Sequence, residues 1–158
     1  MSGRGASLRL VDVDGVSTRV LEAGQGEPLV LVHGGDFGSA YSLDSWGPVV
    51  PLLAERFRVV AFDKLGQGHT AAPLRDEDYS VEGLLAHARG VLRALDLGPA
   101  HLVGHSMGAF LAARLVLDDP GMARSLVVVD SNTLAPDDER HPWRRFYRDL
   151  AERMPPGP

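Results

Sequence analysis

Along the chain, apolar positions follow two rhythms. Residues 8–13 (LRLVDV) and 16–21 (VSTRVL) alternate around Asp14-Gly15, a dipeptide suited to a tight turn, and this predicts a β-hairpin. Unbroken apolar runs follow at 29–32 (LVLV), 57–62 (FRVVAF), 100–105 (AHLVGH) and 125–129 (SLVVV), the pattern of strands buried on both faces of a parallel sheet. Segments of helical rhythm separate them. Residues 46–56 (WGPVVPLLAER) read as a short, proline-containing helix. In 81–96, Leu84, Leu85, Ala88, Val91, Leu92 and Leu95 share one helical face behind a Ser80 cap, and 107–118 read as a further helix. From 131 onward the rhythm gives way to a charged, aromatic-bearing segment with a helix predicted from Pro142.

A hairpin followed by strands alternating with helices predicts an α/β fold, a mostly parallel, doubly wound sheet of six strands in one domain. Composition narrows the function. With 44% hydrophobic and 23% charged residues the chain is expected to fold as a soluble globule. Its 16 Lys and Arg stand against 21 Asp and Glu, a net charge of -5 that argues against a nucleic-acid partner. No cysteine is present, which excludes disulfides, thiolate catalysis and Cys-type zinc sites. No apolar run reaches membrane-spanning length and the first residues hold no signal-peptide core, so a cytoplasmic protein without a membrane partner is expected.

Candidate chemistry centres on Gly104-His105-Ser106-Met107-Gly108, at a predicted junction of strand and helix. A turn that sharp strains its central residue, and glycines on either side let strand and helix approach. Ser106 would stand exposed as a nucleophile, and the Met107 N–H at the helix start would face a developing oxyanion. Upstream, His33-Gly34-Gly35 follows an apolar strand and has three glycines within six residues (Gly34, Gly35, Gly38). Gly35 is the expected second oxyanion donor, with Asp36 as the neighbour that could substitute. A third glycine-bearing element, FDKLGQGHT (62–70), follows the next strand.

In this order and at these separations, His33-Gly34-Gly35, Asp63-x-x-Gly66-x-Gly68-x-Thr70 and Gly104-His105-Ser106-Met107-Gly108 resemble the N-terminal part of an α/β-hydrolase-fold enzyme. The resemblance spans roughly residues 8 to 135, and within the superfamily it is nearest the esterase, lactonase and carbon–carbon bond hydrolase branch. It implies hydrolysis of an ester, lactone or activated carbon–carbon bond in a small molecule, with no metal or organic cofactor, since serine acyl transfer needs neither. A dehalogenase is disfavoured because its nucleophile would be aspartate. Asp36, Phe37 and His105 are expected against the substrate; Tyr41, Trp46, Trp143, Phe146 and Tyr147 are aromatic candidates for its pocket or for packing.

The triad partners are expected after the serine, acid first and histidine last. Asp130, ending the run SLVVVD, is the candidate acid. The one histidine beyond Ser106 is His141, whose position before Pro142 is that of a helix cap. His33 belongs to the glycine loop, His105 is expected to point away from the nucleophile, and His87 and His101 read as surface or helix-face residues. The expectation is therefore a partial core over 1–130 and the start of a cap over 131–158, truncated after the sixth strand and lacking its late histidine. The competing expectation is a non-catalytic partial domain. In either case strand 125–129 would keep one uncharged edge, to be met by a second copy or a partner.

Overall fold

The computed structural model describes residues 5–131. Strands β1 (Ser7–Val13) and β2 (Val16–Ala23) form the hairpin, turning at Asp14-Gly15, where both residues have positive φ. Then follow β3 (Glu27–Val32), α1 (Val50–Leu53), β4 (Phe57–Phe62), α2 (Val81–Ala94), β5 (Ala100–His105), α3 (Met107–Asp118) and β6 (Ala123–Val129). The six strands form one sheet in the order β1-β2-β4-β3-β5-β6. Strands β3 to β6 run parallel, while β2 meets β4 antiparallel and carries the hairpin. The predicted α/β class and mostly parallel sheet are thus present.

Period-two side-chain alternation divides the apolar strands between two cores. Val30, Val32, Val60, Phe62 and Leu102 face α2 and α3, packing with Leu84, Val91, Leu111 and Leu115. Leu29, Leu31, Val59 and Ala61 face the other way, onto Leu43 and Val50. Each residue named in these two sentences is at most 5% exposed, as expected of strands covered on both faces.

Three expectations need correction. The helix predicted over 46–56 is only a four-residue α1 behind a 3-10 turn at Leu43–Trp46, since Gly47, Pro48 and Pro51 interrupt the helical hydrogen-bond ladder. Strand β6 is not buried: Val127, Val128 and Val129 are 48%, 44% and 38% exposed, and among the described residues the strand pairs on one side only, with β5. His87 is not on the surface but 6% exposed in α2. Its Nε2 lies 2.8 Å from the Thr18 hydroxyl, which itself donates to the Val16 carbonyl. Thr18 has no second proton to give, so the ring donates from Nε2 and its buried Nδ1 has no hydrogen-bond partner among the described residues. His101 is half-buried between Ser125 and Glu27.

No helix among the described residues is long and apolar enough to cross a membrane. The cap segment expected over 131–158, with His141, Pro142, Trp143, Phe146 and Tyr147, lies outside the described residues apart from Ser131.

Candidate active site

The bend between β5 and α3 is built by steric necessity. Ser106 sits at φ 51°, ψ -119°, a region that residues with a Cβ seldom enter, and α3 starts at once: the N–H groups of Ala109 and Phe110 both donate to the Ser106 carbonyl. A Cβ on Gly104 would lie 2.4 Å from Ala109 Cα and from the Gly108 carbonyl oxygen. One on Gly108 would lie 2.2 Å from the Val32 carbonyl oxygen and 2.5 Å from that of His33. The second contact joins the start of α3 to the end of β3, where the glycine loop begins. Ser106 is half-buried, and its own N–H donates to the Val129 carbonyl of β6.

The loop 33–36 closes over this bend. A Cβ on Gly34 would meet His105 Nδ1 at 2.7 Å and Ser106 Cβ at 3.2 Å, so only a glycine leaves room for the His105 ring and Ser106 there. His105 therefore does not turn away from the site as expected; its ring lies beside Gly34, 6.2 Å from that of Tyr41. Met107 is half-buried at the first position of α3, where a backbone N–H has no partner within the helix. Gly35 takes φ +77°. Asp36 is exposed, and its carboxylate accepts from the Phe37 N–H; the Phe37 ring packs on Tyr79, with centroids 5.1 Å apart. Trp46 belongs to the core on the α1 face of the sheet. Asp130 is exposed at the end of β6 at φ 45°, next to the Val129 carbonyl that receives the Ser106 N–H.

His33 is fully buried with both ring nitrogens engaged. Nδ1 donates to the Gly34 carbonyl at 2.8 Å and Nε2 accepts from the Lys64 N–H at 3.0 Å, which fixes a neutral tautomer. Burial, and then the Lys64 charge, push its pKa down to about 4. It has no lone pair left with which to serve Ser106.

The loop after β4 is tied down in turn by Asp63. Its buried carboxylate accepts from the Leu43 N–H at 2.7 Å and the His69 N–H at 2.8 Å, and Gly68 leaves room for it. Lys64, missed by the sequence reading, is 1% exposed, and its ammonium donates to the Gly35 carbonyl. Burial pushes its pKa down to about 8. One sequence signal pointed to it, a lysine wedged between an apolar strand and a glycine loop, where solvent is scarce. Among the described residues no group of three or more His, Asp or Glu could hold a metal ion.

The chain is similar to known proteins over most of its length. The sequence profile of the alpha/beta hydrolase fold family matches residues 27–156. The 2-hydroxy-6-oxo-6-(2'-aminophenyl)hexa-2,4-dienoic acid hydrolase of Metapseudomonas resinovorans is 38% identical over 78% of this chain and 42% of its own length. A fluoroacetate dehalogenase of a Burkholderia species is 36% identical over 80% of this chain and 41% of its own. Among solved structures, a serine hydrolase involved in carbazole degradation superposes with a TM-score of 0.76 at 32% identity, over 94% of this chain and 56% of that one. The chain thus spans about two fifths of the length of these curated relatives. An α/β sheet in this order, a strained serine between two sterically required glycines and a family match over most of the chain have one reading: the protein belongs to the α/β-hydrolase fold family.

Proposed function

We propose that the chain carries the nucleophile-bearing part of a serine hydrolase that cleaves an ester, lactone or activated carbon–carbon bond in a small molecule. Ser106 attacks the carbonyl carbon as its proton passes to a base, the Gly35 and Met107 N–H groups hold the oxyanion, the bond to the alcohol or carbon leaving group breaks as that group takes the proton, and water then releases the acyl group as a carboxylic acid. Asp130 is the acid that orients the base, and Asp36, Phe37 and His105 line the substrate's approach. The base is a histidine other than His33, whose two ring nitrogens are engaged, and a longer form of the protein or a second chain supplies it. The observation that carries this reading is the backbone of Ser106, φ 51°, ψ -119°, at the head of α3. The carbon–carbon bond is favoured by the hydrolase from Metapseudomonas resinovorans and by a 2-hydroxy-6-oxo-2,4-heptadienoate hydrolase of Pseudomonas putida, 38% identical over 77% of this chain.

A fluorophosphonate probe at neutral pH, with imidazole as an external base, tests the reading by intact mass. One phosphonyl group per chain is expected, lost in Ser106→Ala. A folded protein that takes up none points to the second reading, a non-catalytic domain that meets a partner through β6, which the exposure of Val127, Val128 and Val129 favours.

A further inference from the structure

The glycine loop is held from the interior by two buried side chains. His33 takes the Gly34 carbonyl and Lys64 takes the Gly35 carbonyl, and each of the two is at most 1% exposed. In a trans peptide the C=O and N–H point in opposite directions. Drawing these carbonyls inward therefore turns the Gly35 and Asp36 N–H groups away from their buried partners. The Gly35 backbone at φ +77° permits successive amides of this kind, which form small anion-binding hollows.

Lys64 is the unusual member of this pair. A buried ammonium is costly unless it is well satisfied, and its one acceptor among the described residues is the Gly35 carbonyl. The depressed pKa reflects that cost, partly offset by the pull of Asp36. An apolar side chain of similar length would fill the site without the penalty, so the amine is poorly explained as packing.

We propose that Lys64 is a positioning residue for the oxyanion loop: by fixing the Gly35 carbonyl in the interior, it keeps the Asp36 amide of the same peptide presented for the chemical step and steadies the adjoining Gly35 amide, whose own peptide His33 holds. This rests on the serine-hydrolase reading for its consequence, and on the Lys64 to Gly35 contact for its geometry. Lys64 itself does not touch the reacting atoms.

The test uses Lys64→Met, which keeps length and apolar volume, and Lys64→Gln, which keeps a shorter neutral donor. Phosphonylation of Ser106 is measured across probe concentration with imidazole present, alongside thermal melting and backbone amide NMR of residues 34–36. Lys64→Met is expected to melt no lower than wild type and to leave half-saturation within about twofold. Its maximal rate falls by about tenfold, short of the roughly 10²-fold loss of a whole oxyanion donor. Lys64→Gln falls between, and the Gly35 and Asp36 amide signals shift or broaden in step. Wild-type rate and unchanged loop signals in Lys64→Met would overturn the proposal, as would a rate loss that merely tracks a lower melting temperature. If wild type takes up no probe, the serine-hydrolase reading fails by itself, and the loop amides alone decide whether Lys64 holds the loop.

Discussion

Ser106 keeps its uncommon backbone angles because the residues around it leave no alternative. Gly108 brings the first turn of α3 against the Val32 and His33 carbonyls, and the Ser106 N–H is claimed by Val129. Gly108→Ala should force these elements apart, lowering stability by about 1–3 kcal/mol in a urea titration and slowing phosphonylation of Ser106. Gly98→Ala is the matched control: a Cβ there meets nothing within 4 Å, so the midpoint should move by no more than about 0.5 kcal/mol. The glycine spacing was legible in the sequence because its cause is local, the closeness of adjoining backbone. The roles of His33 and Lys64 were not legible, because 31 residues separate the partners in that contact and only the parallel pairing of β3 with β4 brings them together.

At the scale of elements, the two edges of the sheet differ. On β1, Leu8 and Leu10 are exposed beside Arg9 and Asp12, charges that discourage pairing with another sheet. On β6 no charge follows Arg124, and Val127, Val128 and Val129 are exposed in succession. If β6 mediates self-association, Val128→Lys should weaken it by about tenfold, a cost near 1.4 kcal/mol, in sedimentation velocity across a concentration series. A wild-type chain that stays monomeric throughout would remove a second copy as the partner of β6. The apolar runs located all four parallel strands, since continuous hydrophobicity is what burial on two faces demands. The same pattern in 125–129 misjudged burial, because a run records what a strand needs covered and not what covers it.

At the scale of the molecule, two buried neutral histidines link stability to pH. His33 and His87 have pKa values of about 4 against an ordinary 6.5, with burial as the main cause for both. The unfolded chain therefore binds more protons between these values. Their neutral forms give full stability above about pH 6.5, and it is lost as pH falls toward 4, at up to about 1.4 kcal/mol per pH unit for each histidine. Urea midpoints between pH 6.5 and 4.5 should fall accordingly, and His87→Leu should reduce the slope by roughly half. An unchanged slope in that variant would place the linkage elsewhere. His33 adds a geometric reason for the loss, since a protonated Nε2 can no longer accept the Lys64 N–H.

The sequence by itself determined the α/β class, the hairpin, the four parallel strands and the serine bend, because each depends on periodicity or on contact between near neighbours in the chain. Tertiary structure alone decided that His105 sits beside Gly34, that His87 is interior, and that a buried lysine holds the glycine loop. Those outcomes depend on which distant segments share a dry interior, and a side chain's solvation and proton affinity are set there.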